Sequence, residues 1–180
     1  KRRWSMPKES DVVECKVAAI DPFFLEATEA VTELCIKHKK PYVTIDCRHD
    51  SLLHQHAAIN VVSKECTGSD AYKGKSLEEI YALLVENTDG LVIITSGEKD
   101  MIYGRKGQSP KRMKPFSVEV KSTLGAGDTF KAGCVYGLLK GFSDDKIVRF
   151  ASACSAIAIS RFPLPLNPPT MDEVQKLLDS

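Results

Sequence analysis

Apolar residues in this chain alternate between short unbroken runs and stretches at helical spacing. The runs from Cys15 to Asp21, Tyr42 to Ile45, Ile59 to Ser63 and Leu91 to Thr95 predict strands. Asp21-Pro22 closes the first and Asp46 ends the second. Between them, Phe24 to Lys37 carries Leu25, Ala27, Val31, Leu34 and Cys35 at a helical period. Ser51 to Ala58 predicts a short helix, and Ser76-Leu77-Glu78-Glu79 resembles a capping box opening a helix that ends near Asn87. Asp89-Gly90 is a turn. Met101 to Tyr103 and Phe116 to Val120 predict strands around a polar, Lys-rich hairpin loop from Gly104 to Pro115. Helical segments follow at Gly125 to Lys140, Asp144 to Ser160 and Met171 to Leu178, whereas the opening from Lys1 to Asp11 reads as irregular. Strands alternating with helices predict an α/β fold, a three-layer αβα arrangement around a mostly parallel central sheet. Ligands gather at the C-terminal strand ends of such sheets. Asp46, Ser63, Glu65, Thr95 and Gly97 all fall there.

The chemistry concentrates in Ser122-Thr123-Leu124-Gly125-Ala126-Gly127-Asp128-Thr129-Phe130. Small residues at Gly125, Ala126 and Gly127 leave the backbone almost uncovered where a helix begins. The first N–H groups of a helix have no intrahelical partner, and the helix dipole adds partial positive charge. That combination is an anion site, and phosphate is its usual guest. Asp128 is badly placed as a phosphate ligand because like charges repel. It is well placed to take a proton from a hydroxyl attacking that phosphate. The bland alternatives are a tight turn that packs a helix onto the sheet, and a helix-start acid stabilised by the dipole.

This run resembles the C-terminal signature of the ribokinase-like (pfkB) carbohydrate and nucleoside kinases, roughly Asp-Thr-x-Gly-Ala-Gly-Asp-x-Phe, with Ala132-Gly133 also in place. The resemblance implies an anion hole at Gly125, Ala126 and Gly127 and a catalytic base at Asp128. It sets Ser122 and Thr123 beside the nucleotide, Ser122 standing where the family usually has an acid. Ile59 to Glu65 resembles the strand end with the family's Asn-x-x-Glu motif, closest in form to the Ser-Lys-Asp of ketohexokinases. Ser63, Lys64 and Glu65 then align, with Asn60 as an alternative for the Asn position. Glu65 would act on Mg²⁺ through water, since that ion keeps much of its hydration shell. Val92 to Asp100 is similar to the strand and Gly-containing turn under the ATP phosphates, making Thr95 and Gly97 candidates. Ser152 to Ser160 is similar to the small-residue helix beside the adenine. Arg161 to Pro169 follows it in place of the family's Gly-rich turn.

The implied cofactors are ATP and Mg²⁺, with a monovalent cation as a further candidate. The implied activity is phosphoryl transfer from ATP to a hydroxyl of a sugar-like small molecule. A nucleoside kinase, and a non-catalytic nucleotide-binding half-enzyme or pseudokinase, are the alternatives. Kinases of this family are longer, so residues 1–180 are expected to be the C-terminal part of one such domain, its N-terminal part and lid missing. A homodimer formed through that absent lid is the candidate assembly.

Composition narrows the rest. With 43% hydrophobic and 27% charged residues the chain fits an ordinary globular domain. A net charge of +1 argues against a nucleic-acid partner, and Lys1-Arg2-Arg3 is too short to change that. No apolar run approaches the roughly 20 residues of a membrane span. The six cysteines are scattered without a Cys-x-x-Cys pair, which suits buried thiols in a reducing, cytoplasmic setting. Asp46 with Arg48 could be a ligand contact or a surface pair. His49, His54 and His56 form a loose cluster that reads more simply as solvated histidines than as a metal site.

Overall fold

A computed structural model describes residues 4–180. Lys1-Arg2-Arg3, weighed above for its charge, lies outside the described residues. One sheet of six strands runs in sequence order: β1 (Ala18–Ile20), β2 (Tyr42–Ile45), β3 (Ile59–Ser63), β4 (Leu91–Ser96), β5 (Lys99–Gly104) and β6 (Lys111–Met113). Strands β1 to β4 pair in parallel, and β5 and β6 return antiparallel. The helices are α1 (Glu9–Glu14), α2 (Glu26–Lys37), α3 (Leu52–Gln55), α4 (Lys64–Thr67), α5 (Leu77–Glu86), α6 (Ala126–Leu139), α7 (Asp144–Ile159) and α8 (Met171–Leu178). Among the described residues no helix is long and apolar enough to cross a membrane.

Side-chain alternation along the strands makes the three layers. Val43, Ile45, Ile59, Val61, Leu91 and Ile93 pack on one side with Phe130 and Cys134 of α6 and Ile147, Val148 and Ala151 of α7. Val62, Val92, Ile94 and Ile102 point to the other side, against Ile80, Tyr81 and Leu84 of α5. A further cluster joins Ile20 and Tyr42 to Cys35 of α2, Leu53 of α3 and Val12 of α1. Strands buried on both faces read as continuous apolar runs, which is why β3 and β4 were legible from pattern alone. The capping box at Ser76 and Glu79 is present, and α5 stops at Asn87.

Three expectations are corrected. The return strand of the hairpin is Lys111–Met113, inside the stretch expected to be a loop, and among the described residues Phe116 to Val120 has no strand partner. β6 is an edge strand whose Lys111 and Arg112 leave charge at the margin, a common guard against edge pairing, so it lacks an apolar run to betray it. Pro115 has no N–H to donate, and the apolar residues after it face a cleft instead of a neighbouring strand. The opening also holds helix α1, with Val12 buried, where an irregular stretch was expected.

Helices α6 and α7 approach closely at Gly133. A Cβ added there would lie 2.7 Å from Ala151 Cα on α7. Gly133→Val should therefore overpack this crossing and lower stability by about 1–3 kcal/mol in urea denaturation. An unchanged midpoint would mean that α6 and α7 do not meet this closely.

Candidate active site

A cleft of about 810 Å³ opens at the C-terminal ends of β3 and β4. Ser63, Glu65, Thr95 and Gly97 line its strand side, and Thr123, Ala126 and Gly127 line the entry into α6. Seven sequence-selected residues thus share one space. Gly125, Asp128 and Ser122 are not in its wall, although each belongs to the loop and first helical turn that border it. The wall opposite the strands combines Ser152, Ser155 and Ala156 of α7 with Phe116, Val118 and Val120.

Gly125 caps α6 with φ 80°, a left-handed backbone that a side chain would strain. A Cβ there would also come within 2.8 Å of Leu164 Cδ2. Gly125 O accepts from Thr129 N–H at 2.9 Å and from Thr129 Oγ1 at 2.9 Å, which starts the helix. Ala126 N–H donates back to Thr123 O at 3.2 Å. Among the described residues no acceptor meets the N–H groups of Gly125, Gly127 and Asp128. Two of the trio picked out in sequence, Gly125 and Gly127, thus keep open donors, and Asp128 replaces Ala126 as the third. Ser155 Oγ donates to Ala126 O at 3.1 Å and ties this first turn to α7.

The Asp128 carboxylate is 77% exposed, with Lys131 Nζ 3.8 Å away. It is available to a small molecule and is not locked in a buried ion pair. Ser122 Oγ accepts from Leu124 N–H at 3.2 Å, and Ser122 N–H donates to Ile159 O at 3.2 Å, so this residue braces the loop against the end of α7.

Glu65 is exposed on α4, a short helix capped by Ser63, whose Oγ accepts from Cys66 N–H at 3.1 Å. Ser63 N–H donates to Asp46 Oδ1 at 2.7 Å. Asp46 adopts φ 53°, an uncommon conformation for a residue with a Cβ. Asp46 therefore acts from behind the cleft, holding the turn that carries Glu65. Arg48 pairs on the surface with Asp50, at 2.6 Å from Nη2 to Oδ2, and not with Asp46.

The histidines do not gather. His54 is fully buried, with Nε2 2.9 Å from Leu84 O, and burial pushes its pKa down. This overturns the reading of it as solvated. Among the described residues no group of three or more His, Cys, Asp or Glu side chains could hold a metal. None of the six cysteines is bonded to another, and burial raises the thiols of Cys47 to about 12 and Cys154 to about 11. Beyond α7, Arg161 pairs with Glu173 at 2.7 Å, and with the Thr170 cap it holds that carboxyl down at about 2. This pair anchors α8 where the sequence lacks a Gly-rich turn.

Sequence reasoning missed two features here. Phe116 to Val120 had the apolar character of a strand and nothing to mark it as a cleft wall. Lys131 and Asp21 carried a faint signal, an acid at a strand end and a lysine one helical turn beyond Asp128.

The family model for pfkB family carbohydrate kinases matches residues 7–169. The ribokinase of Haemophilus influenzae is 38% identical over 88 residues, covering 49% of this chain and 28% of that protein. The 5-dehydro-2-deoxygluconokinase of Bacillus subtilis is 29% identical over 108 residues, covering 59% of this chain and 33% of that protein. Among solved structures, Arabidopsis thaliana ribokinase complexed with ribose and ATP is similar with a TM-score of 0.81 at 19% identity. That likeness spans 97% of this chain and 60% of the other, and at such identity it speaks for the fold alone. The chain thus spans about a third of the curated relatives it matches.

Asp46→Ala should lower stability by about 1–3 kcal/mol in urea denaturation, because it orphans the Ser63 N–H. Asp46→Asn, which keeps an acceptor and tolerates the left-handed backbone, should lose less. Equal losses would mean that the 2.7 Å contact does not hold this turn.

Proposed function

We propose, for a chain that belongs to the pfkB family of carbohydrate kinases, that it carries the phosphoryl-transfer part of an ATP-dependent sugar kinase. The observation that carries this reading is the start of α6, where unpaired N–H groups at Gly125, Gly127 and Asp128 adjoin an exposed carboxylate on the rim of a large cleft.

The residues present suit a nucleotide and Mg²⁺. Unpaired amides at the start of a long helix favour an anion, and the cleft runs from there to the small residues of α7. Mg²⁺ is commonly held by substrate phosphates, water and one or two carboxylates. Glu65 lines the strand side of the cleft, and Glu98 in the turn between β4 and β5 is a second carboxylate in its wall. Bound together, ATP and Mg²⁺ supply the transferable phosphoryl group and neutralise its charge.

The amides of Gly125 and Gly127, with that of Asp128, donate to the phosphoryl oxygens, while Ala126 keeps the turn small. Thr95 and Gly97 would hold the phosphates, and Ser63 and Glu65 would hold the hydrated metal. Ser122 and Thr123 shape the loop that would flank the nucleotide, and Phe116 to Val120 with α7 would hold its base. Asp128 would accept the proton from the acceptor hydroxyl as the hydroxyl oxygen bonds to the γ-phosphorus and the bond from that phosphorus to the departing ADP breaks. Ser122 offers a neutral hydroxyl where the family resemblance implies an acid, which leaves a monovalent cation one charged ligand fewer. The relatives named ribokinase and 5-dehydro-2-deoxygluconokinase favour a sugar or keto-sugar acid as the acceptor over a nucleoside.

A second reading rests on extent. The chain covers 60% of the ribokinase chain it resembles, so it could bind nucleotide without completing an acceptor site. ADP release measured across a panel of sugars, sugar acids and nucleosides separates the two. The kinase reading expects acceptor-dependent release, and Asp128→Asn should cut it by at least about 10²-fold while ATP binding persists. ATP binding with no product from any acceptor would favour the second reading. Near-normal turnover by Asp128→Asn would remove the proposed base.

A further inference from the structure

Lys131 takes no part in the reaction outlined above, yet it is 7% exposed, at the base of the same helical turn. An ammonium removed from water is costly unless paired. Two carboxylates face it. Asp21, at the end of β1, is in direct ion-pair contact with its Nζ, and Asp128 Oδ1 lies 3.8 Å from it. Asp21 is itself fixed, since Thr28 Oγ1 donates to its carbonyl at 2.6 Å. Asp128 is different. Among the described residues its carboxylate makes no hydrogen bond, and Lys131 is the group of opposite charge beside it.

A proton acceptor needs an orienting partner, because a freely rotating carboxylate spends little time aimed at the hydroxyl. An ordinary surface pair at this helical spacing contributes little and would not require a buried lysine. A tie between β1 and α6 would need only Asp21 and Lys131. We propose that Lys131 is a positioning residue for Asp128: its ammonium, clamped by Asp21, draws one carboxylate oxygen toward the sheet and leaves the other turned to the acceptor. The inference rests on Asp128 being the base. It adds that the base is oriented from β1, across the layer, and not from its own loop.

The test uses the full chain with Lys131→Met, Lys131→Arg and the double variant Asp21→Asn/Lys131→Met. The double variant removes both members of the buried pair, so it stands in if Lys131→Met fails to fold. Two readouts are taken: steady-state kinetics, and the side-chain carboxyl ¹³C signal of Asp128. With methionine at this position, kcat should fall on the order of 10²-fold while KM for ATP holds. Arginine should restore most of the loss, and the Asp128 carbon signal should move with methionine and return with arginine. A merely structural lysine would leave that signal and kcat unchanged in every variant that folds, and this result would overturn the proposal. If the unaltered chain phosphorylates no acceptor, the kinase reading fails by itself. The carbon signal then decides alone, a shift supporting the Lys131 contact and a fixed signal ending it.

Discussion

The crossing of α6 over α7 governs the rest of the molecule. Gly133 has no side chain, and the backbone of Ala151 takes the space that one would fill. The two helices can therefore share one layer over the same strands, with Phe130 and Cys134 beside Ile147 and Val148 in a single core. At the far end of the crossing Tyr136 stacks on Phe150, with ring centroids 5.0 Å apart, which resists sliding. At the near end Ser155 reaches the carbonyl of Ala126. Helix α6 is thus held at both ends, and its first turn is presented at the strand ends. A larger residue at the crossing would move the amide groups that the cleft depends on.

The loops that feed the cleft share a second property. Gly125 and Asp46 both sit in left-handed backbone, one before α6 and one after β2. For Gly125 this is inexpensive, and for Asp46 it is offset by the hydrogen bond to Ser63 N–H. Such conformations persist where surrounding structure over-determines them, and they cluster at functional sites. Here both turns aim short segments at one space, Glu65 from one side and the α6 amides from the other. Charge follows the same plan. Positive partial charge from the helix start, the ammonium of Lys131 and the carboxylates of Asp21 and Asp128 lie within one corner of the sheet.

Most of the architecture was legible because burial dictates pattern. Strands β2 and β3 matched their apolar runs residue for residue, and α5 announced itself through its capping box. The misses have physical reasons. A three-residue charged edge strand has no apolar signature, so Lys111–Met113 looked like loop. Phe116 to Val120 is apolar because it walls a cleft, and periodicity cannot separate that from a strand. Helix α1 is short and buries only Val12. At the site, residues chosen for backbone chemistry or strand-end position converged. Lys131 escaped notice because its importance comes from Asp21, 110 residues earlier in the chain, and only the fold brings them together.

On the function proposed above, the opening amides of α6 receive the terminal phosphoryl group of a nucleotide. The most direct measurement is a backbone ¹H–¹⁵N titration with Mg²⁺ and a non-hydrolysable ATP analogue, set against the same titration with ADP. The account predicts that both ligands move signals of Ser152, Ser155 and Ala156, while only the triphosphate strongly moves those of Gly125, Gly127 and Asp128. Triphosphate binding that leaves these last amides where ADP leaves them would contradict it.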